Sequence, residues 1–240
     1  MRVKTLRDIL GACARILPED DKRFCGPFLI DARRRGAPDR PMSLFVGQET
    51  NGWTPLQQMI ADPDPAGLTQ RWHDDFDQGS GNSGGRARRS PFWRLHRMLA
   101  DRLSVPRQNL VWSNLLRFDA RPLADTVGRK KNASLMTNGI AELSALMDAQ
   151  HGMLHDDIVA LRVRGVIFVT GPSYDWAIRR EFPGVTIAPL SARFPARTLA
   201  RVQLPGLPDV RAVRSYHPAY LSRHKMIADV VDAVADQRHD

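Results

Sequence analysis

Cysteine is nearly absent: Cys13 and Cys25 are the only two in a chain of 240 residues. Two thiols are too few for a disulfide framework, a four-cysteine zinc site or a four-cysteine iron–sulfur cluster. Both are expected to be reduced, in a cytoplasmic protein. No apolar run approaches the ~18 residues that a membrane helix requires, so no membrane partner is expected. The chain also lacks a GxxxxGK(S/T) loop and a GxGxxG turn, which removes support for nucleotide cofactors. No serine sits in a GxSxG elbow, which argues against an α/β-hydrolase. His151 and His155 are four residues apart, but the stretch HGMLH lacks the glutamate of HExxH and reads as a solvated helical face. The N-terminal stretch carries Arg7, Asp8 and Arg15 inside its apolar pattern, as an amphipathic helix does and a signal peptide does not. No internal repeat is evident.

What the chain has in excess is positive charge. Lys and Arg number 35 against 26 acidic residues, a formal charge of +9 with a sequence pI near 10.3. Such a surplus favours a polyanionic partner, most simply nucleic acid. The apolar fraction of 42% supports a sizeable core, and the length suits one domain.

Four short apolar runs alternate with helical patterns. Residues 42–47 contain Leu44-Phe45-Val46, residues 109–113 read NLVWS, 165–170 read GVIFVT and 210–215 read VRAVRS. Residues 185–188 are a further minor strand candidate. Runs of this kind fit strands buried on both faces of a parallel sheet. Between them, Leu6 to Leu17, Phe92 to Leu103, Met136 to Met147, Leu154 to Leu161 and Met226 to Val234 carry apolar residues at helical spacing, and Ser90-Pro91 supplies an N-cap and an N1 proline. Ser173 is placed to cap a helix over YDWAIRREF. The order predicts a three-layer α/β/α sandwich around a central, mostly parallel four-stranded sheet, in one domain. Residues 77–90, DQGSGNSGGRARRS, are expected to form a mobile basic loop within it.

Parallel strands present their C-terminal ends at one sheet edge, where open α/β sheets place their chemistry. That edge is expected to collect Gly47, Gln48, Glu49 and Asn51 after the first strand, Asn114 after the second, Gly171 to Ser173 after the third and His217 after the fourth. A carboxylate, amides, backbone donors at glycines and one histidine would then face a common space.

These residues resemble the uracil-DNA glycosylase superfamily. Gly47-Gln48-Glu49-Thr50-Asn51 looks like its first motif, GQDPY in the best-known branch, and His217-Pro218-Ala219-Tyr220-Leu221-Ser222 looks like its second, HPSPLS. VWSNLLR is similar to the strand ending in the uracil-reading asparagine, which maps to Asn114, and VIFVTGPSYDWA resembles the third-strand segment. The match spans roughly residues 40–225. It implies a monofunctional glycosylase of base excision repair, with no metal or redox cofactor, acting as a monomer on single- or double-stranded DNA containing uracil. Glu49 would stabilise a cationic sugar and position or activate water, and His217 would stabilise the leaving base. Gly47, Gln48, Asn51, Trp53 and Asn114 would line the base pocket, with Phe76 or Phe92 stacking on the flipped base. Leu221 would be the wedge filling the vacated stack. Arg86, Arg88, Arg89, Ser173, Ser222, Arg223, His224 and Lys225 would hold the DNA. Asn51 stands where the motif has a thymine-excluding tyrosine, with Trp53 as a steric substitute, and Ala219 replaces a phosphate-contacting serine. Two alternatives stay open: a glycosylase for another deaminated or damaged base, and a nucleic-acid-binding member of the fold without turnover.

Overall fold

The computed structural model describes residues 5–19, 23–30, 42–49, 54–78, 89–120 and 142–237. Its centre is a six-stranded sheet. In chain order the strands are β1 (Phe24–Cys25), β2 (Met42–Gly47), β3 (Leu110–Asn114), β4 (Asp119–Ala120), β5 (Val163–Phe168), β6 (Thr186–Pro189), β7 (Leu199–Gln203) and β8 (Arg211–Ser215). The main sheet has the order β3-β2-β5-β8-β7-β6, and β1 and β4 form a separate antiparallel pair. The first four strands of that order run parallel, and β7 and β6 extend the sheet antiparallel. The four expected strands are therefore present as the parallel part. The expectation of a four-stranded sheet is corrected to six, because a hairpin is added beside β8.

Strand β2 is buried along its whole length, and alternate residues serve opposite faces. Leu44 and Val46 join Val166, Phe168 and Ala212 in one core. The helices α1 (Leu6–Ile16), α5 (Leu143–Gln150), α6 (Met153–Ala160) and α7 (Asp175–Glu181) cover that face, through Ile9, Leu146, Leu154 and Ile178. Phe45, Ile167 and Val213 point the other way, into a second core. That core is closed by α4 (Pro91–Arg102), α8 (Pro218–Arg223) and α9 (Ile227–Asp236), through Leu95, Leu221 and Val230. Each such side chain removed from water contributes roughly 1.5–3 kcal/mol. Two further helices, α2 (Leu56–Ala61) and α3 (Pro65–Gln78), fill the connection after β2.

Local signals set the helix ends. Thr5 and Asp8 form a capping box on α1, with Asp8 N–H donating to Thr5 Oγ1 at 3.1 Å and Thr5 N–H to Asp8 Oδ2 at 2.9 Å. Helix α1 stops at Ile16, two residues before Pro18. Ser90 caps α4, its hydroxyl accepting from Trp93 N–H at 3.5 Å, and Pro91 begins the helix. Ser173 caps nothing. It lies in a single 3₁₀ turn, Pro172–Tyr174, and α7 starts from Tyr174 without a side-chain cap.

Cys13 and Cys25 are both buried and unbridged, and burial pushes the Cys13 thiol up to about 12, so it behaves as an apolar packing group. Among the described residues, no helix is long and apolar enough to cross a membrane. The basic segments at 31–40 and 121–133 and most of the 77–90 loop lie outside the described residues.

Candidate active site

The register of the parallel strands aligns their C-terminal ends. Gly47 and Asn114 are direct partners across β2 and β3. The chain leaving β2 then continues beside the chain leaving β3, with Leu115 N–H donating to Gly47 O and Leu116 N–H to Gln48 O, both at 2.9 Å. On the other side of β2, the Gln48 amide donates to the Thr170 carbonyl at 2.6 Å, so the turns after β2 and β5 are joined. Gly171 N–H donates to Ser215 O at 2.9 Å, which joins the turn after β5 to the end of β8. All four parallel strand ends are thus tied into one rim.

Glu49 is held at that rim by a residue the sequence did not single out. The hydroxyl of Tyr174, which is buried, donates to Glu49 Oε1. The carboxylate is therefore fixed from the β5 side, although its backbone belongs to the β2 side. Asn114 is 3% exposed. In the orientation that satisfies its neighbours, its amide nitrogen donates to the Glu49 carbonyl at 3.1 Å and to the Ser113 carbonyl at 3.3 Å. The main chain of Glu49 and the expected base-reading amide are consequently neighbours.

Phe92 stands beside both. A Cβ built on Gly47 would fall 2.7 Å from the Asn114 amide and 3.0 Å from Phe92 Cε2. Glycine at 47 is required by this close approach, since any side chain would enter the space between amide and ring. Phe92 is half-buried and packs edge-on to Phe45 and Trp93, with ring centroids at 4.7 and 5.2 Å. Of the two expected stacking rings, Phe92 is placed at the site, whereas the Phe76 side chain lies outside the described residues.

His217 begins α8. Its Nδ1 accepts from Ala219 N–H at 3.2 Å. An imidazole that accepts at Nδ1 carries its proton on Nε2. Burial pushes the ring's pKa below the ordinary histidine value, which favours this neutral form. The result is a neutral N–H donor at the rim. Gly171 lies against it, for a Cβ there would be 3.7 Å from His217 N.

An ion pair with a buried guanidinium fixes the segments carrying Tyr174 and His217. Arg214, 1% exposed, donates from Nε and Nη2 to the two Asp175 oxygens at 2.9 and 3.1 Å, and from Nη1 to Arg197 O at 2.9 Å. The pair links β8 to the first turn of α7, so Tyr174 and His217, each a few residues away, share one anchor. On the β3 side, Arg117 Nη2 meets Asp157 Oδ2 at 2.5 Å with both side chains buried, while Gln150 accepts from Arg117 N–H at 2.8 Å.

The expected DNA contacts divide. Arg89, Arg223, His224 and Lys225 are exposed, and Ser222 and Ser173 are partly or fully accessible. Arg86, Arg88, Asn51 and Trp53 lie outside the described residues. The wedge assignment of Leu221 is corrected. This side chain is fully buried, among the residues that join α4, α8 and α9, and cannot enter a base stack without leaving the core. A cavity of about 520 Å³ lined by Leu204, Val210 and Arg211 sits at the opposite edge of the sheet, where β8 begins, and takes no part in this rim. Among the described residues no group of three His, Cys, Asp or Glu side chains is placed to hold a metal ion.

No family model and no curated protein matches the chain.

Proposed function

We propose that this protein is a monofunctional uracil-DNA glycosylase, a cytoplasmic, monomeric enzyme of base excision repair built as a three-layer α/β/α sandwich. The single observation that carries the reading is the joining of Glu49, Asn114 and Tyr174 at one sheet edge that also bears a neutral His217. Buried cysteines without a disulfide support a reducing compartment, and the charge of +9 supports a polyanionic substrate.

The chemistry follows from these groups. The bond between C1′ of the sugar and N1 of uracil breaks, and its electron pair leaves with the base. Negative charge spreads to the base oxygens, where the His217 Nε2–H donates. Positive charge on the sugar is stabilised by the Glu49 carboxylate, which also orients water and accepts its proton as oxygen bonds to C1′. Asn114 reads the base edge, exchanging one of its donations to main-chain carbonyls for the uracil O4. Phe92 covers a face of the base. A base in a duplex reaches this rim only when flipped out.

The test is incubation with labelled single- and double-stranded uracil DNA, followed by alkaline cleavage of abasic sites. Strand breaks at uracil are expected, and single-turnover rates of Glu49→Gln and His217→Ala should fall by roughly 10²–10³. Excision that persists in both folded variants overturns the site. Absence of excision on uracil by the wild-type chain overturns the activity, and cleavage at another deaminated base instead would reassign the substrate.

A further inference from the structure

The cavity at the start of β8 holds about 520 Å³, within the roughly 300–1,000 Å³ of small-molecule sites. Its wall is apolar at Leu190, Leu204, Leu207 and Val210. Two arginines and two glutamines, Arg201, Gln203, Arg211 and Gln237, supply its polar part. Strand register explains the grouping. Arg201 lies opposite Val213 on β8, and Thr186 of β6 lies opposite Gln203. Partners across a strand pair share a face, as do residues two apart on one strand. Arg201, Gln203 and Arg211 therefore stand on the face that Val213 gives to the second core, the face that carries α9.

Gln237, the C-cap of α9, fixes both arginines. Arg201 Nη2 donates to its side-chain Oε1 at 3.0 Å, and Arg211 Nη1 to its main-chain carbonyl at 2.6 Å. Both acceptors are neutral, so they orient the guanidinium groups without cancelling their charge. No carboxylate cancels it either. Neither arginine forms an ion pair among the described residues, and the neighbouring acids Asp209 and Asp236 are taken by Arg164 at 3.7 Å and Arg102 at 3.8 Å. Gln203 accepts from Thr186 Oγ1 through Oε1 at 2.7 Å, which leaves its NH₂ group to donate. An apolar hollow with oriented, uncompensated cations and a spare amide donor is complementary to an anion that carries an apolar body.

We infer that this cavity binds a small organic anion, its carboxylate or phosphate held by Arg201 and Arg211 and its apolar part lying against Leu204, Leu207 and Val210. The site is separate from the rim and does not depend on the function proposed above.

The probe is anilinonaphthalene sulfonate, an apolar anion whose fluorescence rises out of water, used beside phenylnaphthylamine, which has the same rings and no charge. The sulfonate dye should saturate at one molecule per folded chain. In a protein carrying Arg201→Gln and Arg211→Gln its affinity should fall roughly tenfold or more, as the loss of charge-assisted bonds predicts, while the neutral dye binds as before. Both arginines are exposed, and an unchanged urea midpoint checks the fold of the double variant. Octanoate or phenyl phosphate should displace the sulfonate dye, and the stronger competitor identifies the headgroup. Undiminished dye affinity in the double variant overturns the proposal, as does equal loss of both dyes or displacement by neither anion. An oligonucleotide that displaces the dye where both small anions fail would assign the arginines to nucleic acid and overturn it likewise.

Discussion

The Tyr174 hydroxyl donates to the Glu49 carboxylate across 125 residues of sequence and connects the turn after β5 to the turn after β2. A hydrogen bond to a charged group is worth about 1.5–3 kcal/mol, more than a neutral one. Tyr174→Phe keeps the ring and removes the hydroxyl that makes this bond. Single-turnover excision should slow by roughly 10- to 100-fold, with the fold intact by circular dichroism. A variant as fast as wild type would show that Glu49 needs no orientation from this side.

The approach at Gly47 predicts a second effect. Gly47→Ala brings a methyl within 2.7 Å of the Asn114 amide and 3.0 Å of Phe92. Overpacking of this kind costs about 1–3 kcal/mol, read as a lower urea midpoint with unchanged slope. Uracil binding should suffer as well, since the displaced amide and ring are the groups assigned to the base. Stability and activity both unchanged would mean that the rim is open where it is drawn as tight.

Two histidines predict a pH dependence. Burial lowers the pKa of both His96 and His217. For His96 the bond from Nε2 to the Leu110 carbonyl, at 2.7 Å, opposes burial, and the charges of Arg107 and Arg97 add to it. The unfolded chain therefore binds protons more readily than the folded one just below pH 6.5, the ordinary value. The stabilising contribution is complete above that pH and is lost as pH falls through the depressed values. Urea midpoints should decline from about pH 6.5 downward, less steeply in His96→Gln. Proton NMR of the two rings should give midpoints below 6.5, and a higher midpoint for His217 would remove its role as a neutral donor.

The buried pair of Arg117 and Asp157 gives a fourth outcome. Asp157→Asn leaves the guanidinium without its counter-charge at 1% exposure. Removing one partner of such a pair costs about 3–5 kcal/mol, measurable by urea unfolding. A loss below about 1 kcal/mol would mean that water reaches the pair.

The parallel half of the sheet was legible because strands buried on both faces read as uninterrupted apolar runs, as Leu44 to Val46 does. Of the hairpin beside β8, residues 185–188 announced β6 as a minor strand, and β7 was not announced. Leu199, Ala200 and Val202 are buried while Arg201 and Gln203 are exposed, and β6 is mostly exposed, so neither strand forms an apolar run. The two-residue pair of β1 and β4 depends on partners almost a hundred positions apart, which no local pattern announces. Helix α3 was hidden by the polar sequence that follows it. At the site, strand ends revealed Gly47, Glu49, Asn114 and His217, because a polar residue directly after an apolar run is a local signal. Tyr174 and Arg214 gave none, since their partners are set by the sheet register. Leu221 shows the reverse case: a motif position taken for a surface wedge belongs to the buried stripe of a helix.

The bonds that close the rim have a consequence for how the protein comes to exist. Gln48 meets Thr170 across 122 residues, and β2 lies between two parallel partners that arrive long after it in the chain. Parallel pairing needs long crossovers, and chains dominated by such non-local contacts fold slowly. During synthesis the Glu49 turn emerges well before the segment bearing Tyr174, and that segment before His217. A growing chain therefore carries the parts of this rim without the rim, and completes it only when β8 has docked beside β5.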